Sequence, residues 1–310
     1  MKKSAIGLLC FCLAAIAQQP PPSQAPAPQA QPVAPAQVGQ PTIQAPPELP
    51  KYPDVRMPGE YGFWIGLGAG IPQGQPVFNV GRNSGVTTSS LVTMQGTPKM
   101  AESADFGVAL GLHNALRFSY FTTRSAGDFT NPQDLTLWYQ PYSSGNLIST
   151  NYQLTDLKLS FDYLTWPYPV ESRRFRLKTL WQVQYVSVKS GFDAPLLPTT
   201  DINGNPLVDV NGNPITYMAS GTRWYITPTL GLGTTYFLTR NVRLEAEATG
   251  FTIPHHTTTW DVDASVNFRL GHFELGAGAR GFHFKTSTDG PYYLRGTLYS
   301  PVVQIRWFSE

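Results

Sequence analysis

The sequence is nearly devoid of cysteine. Its only two cysteines, Cys10 and Cys12, lie within the first 17 of 310 residues, so the rest of the chain has none. This absence excludes a disulfide framework, a cysteine metal site and a cysteine nucleophile from residues 18–310. A lipoprotein anchor needs a small residue before the modified cysteine, whereas Leu9 and Phe11 precede these two.

Long hydrophobic runs and an excess of charge are also missing. No apolar run after residue 17 approaches the roughly 18 residues that a membrane-spanning helix needs. Lys2 and Lys3 account for the formal net charge of +2, and the remaining acidic and basic residues balance. A neutral chain gives no electrostatic reason to expect a nucleic-acid partner. We also expect no cofactor, because the glycine-rich stretch at 66–70 lies on a predicted strand and does not open a helix.

The N-terminal composition predicts two segments ahead of the main domain. Residues 1–17 have a basic start, a short apolar stretch and the small-residue cleavage pattern Ala15-Ile16-Ala17, which is the layout of a secretory signal peptide. Residues 18–58 are rich in Pro, Gln and Ala and carry no charge before Glu48. Such a composition cannot build a core, so we expect a disordered periplasmic linker. The alternative is a tether that contacts peptidoglycan or another periplasmic partner.

Residues 59–310 are dominated by alternation of apolar and polar residues. In the clearest segment, residues 261–270, Val262, Ala264, Val266, Phe268 and Leu270 share one face, and polar residues occupy the other. A period of two with such contrast predicts a strand with two unlike faces. The pattern recurs about ten times, and long connections, at 71–103, 124–151, 190–221, 252–260 and 285–292, alternate with short ones. We therefore predict an all-β fold, a single antiparallel up-and-down transmembrane β-barrel of about 10 strands, with 8–12 possible.

Alternation alone also fits a soluble barrel with an apolar core, so the polar face decides between the two. Charges of both signs fall on that face together with small residues, which suits a crowded interior, and lipid would enforce such segregation. Aromatic residues also collect near strand ends, as in an interfacial girdle. The residues predicted to line the lumen are Asp105, Arg117, Lys158, Asp162, Arg176, Lys178, Arg243, Glu245, Glu247, Asp263, Arg269, Glu274 and Arg280.

The last predicted strand carries a family resemblance. Tyr299, Val303, Ile305 and Trp307 alternate towards an aromatic end, which resembles the terminal strand of the bacterial outer-membrane β-barrel superfamily, although Ser309-Glu310 follow. The resemblance implies outer-membrane lipid and the barrel-insertion machinery as partners, in the envelope of a Gram-negative-type bacterium. It implies a porin-like small channel or a structural surface barrel. A loop-mediated binding protein or adhesin is the alternative. Pro228 and Pro301 fall within predicted strands, where a bulge or strand end is expected.

Histidines near one rim suggest a third function. His255 and His256 lie in the fourth long connection, Asp261 and Asp263 follow closely, and His283 should reach the same rim. A carboxylate can orient a histidine that acts as a general base, and ten-stranded outer-membrane proteases resemble this chain in strand number and in placing His and Asp there. An outer-membrane hydrolase acting on protein or lipid is therefore a further alternative. Loop histidines are more often simply polar, so we predict no enzyme.

A tandem repeat in the third long connection suggests a metal site. Oxygen-bearing side chains alternate around a glycine in two copies spaced by eight residues, which resembles half of a calcium loop. The distal bidentate glutamate is missing, and Asn-Gly also favours tight hairpin turns, so two consecutive turns are the alternative. The candidate ligands are Asp201, Asn203, Asn205, Asp209, Asn211 and Asn213.

Overall fold

A computed structural model describes residues 62–80, 92–111, 113–166, 174–239, 241–254, 256–288 and 290–309. The predicted signal peptide at 1–17, the predicted linker at 18–58 and His255 lie outside them. No helix in this part of the chain has the length and apolar character to cross a bilayer. Its fifteen strands are β1 (Phe63–Gly70), β2 (Val77–Val80), β3 (Val92–Thr93), β4 (Thr97–Pro98), β5 (Ala101–Ala109), β6 (Asn114–Thr130), β7 (Leu135–Leu137), β8 (Gln140–Tyr142), β9 (Leu147–Trp166), β10 (Phe175–Pro198), β11 (Thr216–Phe237), β12 (Val242–Thr252), β13 (Thr258–Leu270), β14 (Phe273–Lys285) and β15 (Tyr292–Phe308).

Ten of these strands close into a barrel. The order around the ring is β1-β5-β6-β9-β10-β11-β12-β13-β14-β15, and β1 pairs with β15 to complete it. Every neighbouring pair is antiparallel. The prediction of an all-β, antiparallel barrel of about ten strands is therefore confirmed.

The two rims of the barrel differ in the length of their connections. At one rim β13 joins β14 through Gly271 and His272, with Gly271 in the left-handed region at φ +60°. At the other rim the connections are longer and include the small strands β2, β3, β4, β7 and β8. Short turns at one rim and long loops at the other are typical of outer-membrane barrels, whose long loops face outside. We refer to the long-loop side as outer.

The barrel has two zones along its axis, and β9 shows the change between them. Leu157, Leu159 and Phe161 face outward near the short-turn rim, whereas the outward positions closer to the outer rim are polar, as at Gln153 and Thr155. At the same height the inward residues change from polar to apolar. We call the part with an apolar exterior the membrane zone and the part with a polar exterior the outer zone. An apolar exterior suits lipid and a polar exterior suits water, which accounts for the exchange of character between the buried and exposed faces.

The outer zone makes several strands longer than predicted. Residues 124–130 and 147–151, expected in a loop, belong to β6 and β9, and the predicted loop 190–221 shrinks to 199–215 between β10 and β11. At about 3.3 Å per residue and a tilt near 40°, the 24 residues of β10 rise roughly 60 Å along the axis. The apolar band of such barrels is about 25 Å tall, so the strands extend well beyond it.

The predicted disruptions at Pro228 and Pro301 are wrong. Pro228 pairs in continuous register with Val183, and Pro301 with Ala279. The pairing of β12 with β11 stops at Leu230, two residues from Pro228, and β1 pairs with β15 only as far as Val302. Each proline therefore lies beyond the last residue paired on one side, so its missing N–H group costs no ladder bond on that side.

Candidate functional site

The lumen of the membrane zone is crossed by ion pairs. Glu247 on β12 accepts two hydrogen bonds from Arg117 on β6, from Nη1 to Oε1 at 3.1 Å and from Nη2 to Oε2 at 2.7 Å. Lys178 Nζ donates to Glu247 Oε1 at 3.3 Å. Asp162 Oδ2 lies 3.5 Å from Arg117 Nη2 and 3.8 Å from Lys178 Nζ. These four side chains link strands on opposite sides of the ring.

A second group of ion pairs lies closer to the outer zone. Arg280 Nη2 on β14 donates to Asp156 Oδ2 on β9 at 2.9 Å, across the full width of the barrel. Asp261 accepts hydrogen bonds from both Arg280 and Lys158. Gln184 Nε2 donates to Asp156 Oδ1 at 2.7 Å. Asp156 and Asp261 are almost fully buried, so these charges depend on each other for compensation.

A third group lies near the short-turn rim. Arg243 Nη2 donates to Glu274 Oε1 at 2.8 Å, and Arg306 Nη1 donates to Glu245 Oε2 at 2.8 Å. Arg306 Nε also lies 3.7 Å from Asp105 Oδ1, which brings β5 into the group. The three groups together cross the lumen at successive heights of the membrane zone.

A polar cavity of about 130 Å³ lies beside the ion pairs. Ser103, Ser119, Asp263, Ser265 and Gln304 contribute to its lining. Asp105 and Ser103, which contribute to the lining, occupy the space above the inward glycines Gly66 and Gly68 of β1. Its volume suits a few water molecules or a small solute. It does not amount to a pore.

The outer zone is closed by an apolar cluster. Phe78 on β2, Met94, and Leu137 and Tyr142 of the β7–β8 hairpin are buried against inward residues of the barrel wall. Those wall residues include Phe121, Ile148, Leu154, Val186, Val188, Phe192, Phe282, Phe284, Leu294 and Leu298. The first two outer loops thus form a plug, which we define as β2, residues 92–96 and the β7–β8 hairpin.

The turn of the β7–β8 hairpin is held in an unfavourable conformation. Trp138 and Tyr139 have φ values of +48° and +68°, in the left-handed region that side-chain-bearing residues usually avoid. Trp138 Nε1 donates to Ser190 Oγ at 2.9 Å, and the Tyr139 amide donates to the Tyr292 hydroxyl at 3.0 Å. The Arg223 guanidinium lies 5.5 Å from the Trp138 ring. These contacts fix the turn against the wall despite the strain.

The structure places every predicted lumen-lining residue on the inward face. Most of them join the three ion-pair groups, and Arg176 is buried near the short-turn rim. Arg269 lies at that rim, where its Nε donates to the Gly271 carbonyl at 3.0 Å. The prediction omitted Arg306, although it alternates with outward apolar residues on its strand. It also missed the plug, whose short strands lie in connections that looked polar and irregular.

Within the described residues, the structure does not bring the candidate histidines and aspartates together. Asp261 and Asp263 point into the lumen, and Asp261 is committed to ion pairs. His283 faces outward, where its ring stacks on Trp260 with centroids 5.5 Å apart and its Nδ1 lies 2.8 Å from Thr297 Oγ1. His256 is exposed in the loop 253–257. His283 therefore lies on the opposite face of the wall from Asp261 and Asp263, because successive side chains of a strand alternate between its two faces.

The predicted calcium ligands form two equivalent turns. Asp201 Oδ1 accepts hydrogen bonds from the amides of Asn203 and Asn205, each at 2.8 Å. Asp209 repeats the arrangement with the amides of Asn211 and Asn213. The hydrogen bonds from Asn205 hold the pKa of Asp201 below its usual value. Nowhere in the described ranges do three or more His, Asp or Glu side chains gather as a metal site would require.

Comparison with known proteins identifies the fold. No protein-family model and no curated sequence matches the chain. The outer membrane protease OmpT from Escherichia coli is similar at a TM-score of 0.51 and 8% identity, over 79% of this chain and 96% of that one. The translocator domain of the autotransporter NalP from Neisseria meningitidis matches at 0.40 and 12% identity, over 80% and 88%. OprG from Pseudomonas aeruginosa matches at 0.34 and 9%, over 81% and 99%.

The closed ten-strand ring, its apolar outward band and the similarity to OmpT define the class of fold. The chain has the fold of an outer-membrane β-barrel. At 8% identity the similarity extends to the fold alone.

Proposed function

We propose that this protein is a closed surface barrel that projects its outer zone from the membrane and presents its outer loops for binding. The observation that carries the proposal is the double closure of the lumen. Ion pairs cross the membrane zone, and an apolar plug fills the outer zone. A barrel of about this size is filled by side chains, whereas wide aqueous pores need many more strands.

The third outer loop supports a role in binding. Ile202 and Val210 occupy equivalent positions in its two turns, and both side chains are fully exposed. The two aspartates hold these turns in shape through their own amide hydrogen bonds. A loop that displays apolar side chains on a fixed backbone suits recognition of a partner surface.

Planar-bilayer recording of the refolded chain tests the closure. The intact protein should give no discrete conductance steps at either polarity. A narrow channel is the second candidate, favoured by the cavity beneath the plug, and reproducible steps from the intact chain would establish it in place of a closed barrel.

Surface presentation is tested by thiol labelling, since residues 18–310 contain no cysteine. Ile202→Cys should react with a membrane-impermeant maleimide on intact cells, and Ile148→Cys, which is buried in the plug cluster, should not. Labelling of Ile202→Cys only after cell lysis would contradict the proposed orientation.

The hydrolase alternative receives no support from the described residues. His283 and Asp263 face opposite sides of the wall, and Asp261 is neutralised by Lys158 and Arg280. OmpT is a protease by name, but a likeness in fold does not transfer an activity. We therefore propose a non-enzymatic protein.

We further propose that residues 1–17 direct export and that residues 18–58 form a periplasmic linker. The support is compositional, from the basic start, the apolar stretch and the proline-rich tract. N-terminal sequencing of the protein purified from membranes should begin at Gln18. A chain that begins at Met1 in the outer membrane would contradict the export role.

A further inference from the structure

A row of basic side chains crosses the outer surface just above the membrane zone. Arg124 on β6 and Lys189 on β10 are both register partners of Gln153, which lies on β9 between them. Lys99 follows on the other side, where its amide donates to the Arg124 carbonyl at 2.8 Å. Lys99, Arg124 and Lys189 are exposed. Neighbouring strands are about 4.8 Å apart, so the Arg124 and Lys189 backbones are separated by roughly 10 Å.

The surface below this row changes in layers towards the membrane. One step down, Thr155 and Ser187 form an outward hydroxyl row. One step further, Leu157 and Tyr185 begin the apolar band, and Tyr185 lies 6.2 Å from Trp224 in the outer aromatic girdle. Four residues rise about 13 Å along a strand and roughly 10 Å along a tilted barrel axis. Long basic side chains at that height reach the level of lipid headgroups above an aromatic girdle.

No ion pair forms between the basic row and an acidic side chain in the described residues, although the exposed Glu102 lies beside it as the register partner of Thr122. The ion pairs formed among the described side chains lie inside the barrel, and none includes Lys99, Arg124 or Lys189. A second basic pair stands at similar height on the other flank, where Lys285 and Arg295 are direct register partners facing outward. Like charges directly opposite on a sheet destabilise it, so an anion held between them would be favourable.

We propose that the Lys99–Arg124–Lys189 row binds the phosphate group of an outer-leaflet lipid. The position of the row argues for a lipid, because it continues upward from the apolar band and its aromatic girdle. The chemistry argues for phosphate, because Arg124 and Lys189 can converge over Gln153 on one tetrahedral anion, and the guanidinium can donate two parallel hydrogen bonds. The bound lipid would hold the outer zone upright on the membrane surface. This inference is independent of what the outer loops recognise.

Lipid titration of the full-length refolded chain in detergent micelles tests the proposal by native mass spectrometry. The probes are short-chain phosphatidic acid and short-chain phosphatidylcholine. Wild-type protein should retain phosphatidic acid in preference to phosphatidylcholine. The double variant Arg124→Gln/Lys189→Gln should lose roughly 30-fold in affinity for phosphatidic acid, at about a fivefold loss for each basic residue near the surface.

The matched control exchanges the two basic residues, as Arg124→Lys/Lys189→Arg, and should bind phosphatidic acid as the wild type does. Both variants lie on the exposed surface, and heat-modifiable gel migration checks that they fold. Equal retention of both lipids, or unchanged affinity in the glutamine variant, would overturn the proposal. Displacement of phosphatidic acid by inorganic phosphate at equal concentration would also overturn it, by assigning the row to soluble phosphate.

Discussion

Glu247 is the residue on which the first ion-pair group depends. It contacts Arg117 through both carboxylate oxygens and Lys178 through one of them. Asp162 lies farther from both cations and compensates them less. A carboxylate shared by two buried cations compensates each of them, so its loss leaves two charges poorly paired.

Glu247→Gln should therefore destabilise the barrel by about 3–5 kcal/mol, the usual cost of breaking a buried ion pair from one side. Urea unfolding in lipid vesicles, followed by tryptophan fluorescence, measures the change. Arg269→Gln is the control, because it removes one charge at the short-turn rim and should cost much less. Equal losses in the two variants would show that the cross-lumen pairs contribute nothing specific.

The hairpin turn at Trp138 and Tyr139 combines strain and packing within two residues. Both residues have positive φ. Trp138 packs against Phe78 and Tyr292 with centroids 5.3 Å from each, whereas among the described aromatic rings the Tyr139 ring contacts Tyr292 alone, edge-on with centroids 4.9 Å apart. The Tyr139 side chain is 73% exposed. The hydrogen bond from its backbone amide to the Tyr292 hydroxyl does not depend on the side chain.

Tyr139→Gly should change stability by less than about 1 kcal/mol, because relief of the left-handed strain offsets the lost ring contact. Trp138→Gly should cost about 3–5 kcal/mol, as for truncation of a packed aromatic. Urea titration of the two variants separates them. A large loss in Tyr139→Gly would mean that the exposed ring contributes more than the strain it carries.

At the scale of a strand, one face can meet lipid at one height and water at another. On β11, Ile226 and Thr222 share the outward face four residues apart, with Ile226 in the apolar band and Thr222 above it. The boundary between the zones therefore lies between them.

Ile226→Arg should destabilise the folded barrel by about 2–4 kcal/mol, and Thr222→Arg should change its stability by less than about 0.5 kcal/mol. Reversible unfolding in vesicles provides both values. Comparable costs at the two positions would contradict the boundary between the zones.

This boundary also explains how far the sequence could predict the fold. Alternation predicted the ten strands, because a period of two is visible whichever face is apolar. In the outer zone the inward residues become apolar, as at Val186 and Val188, and the outward ones polar, as at Ser187 and Lys189. The sequence does not show where the membrane ends. The exchange of apolar and polar faces therefore looks like the end of a strand, and the loops were predicted too long.

The plug could not be predicted for a related reason. Its strands are two to four residues long, and its apolar residues, such as Phe78 and Leu137, are separated by turns and prolines. Their burial depends on loops folding back into the barrel, which local periodicity does not encode. The inward charges were predictable because lipid permits them on one face only.

At the scale of the whole molecule, closure comes from two independent layers. The plug seals the outer zone by apolar packing, and the ion pairs fill the membrane zone below it. Thr130 pairs with Leu147 at the top of β6 and β9, and the Asn131 amide donates to the Asn146 carbonyl at 2.8 Å. Residues 132–145 can therefore be replaced by a short Gly-Ser turn without disturbing the wall.

Removal of residues 132–145 should open the outer layer alone. Val188→Cys, buried in the outer zone, should then react with a water-soluble maleimide added from outside. In the protein that retains residues 132–145, the same cysteine should not react. Gln182→Cys, buried lower on the same face of β10, should stay protected in both backgrounds, because the ion pairs still fill the lumen beneath the plug. Labelling of Gln182→Cys after the deletion would show that the plug is the only barrier, and the protein would then be better described as a channel with a removable gate.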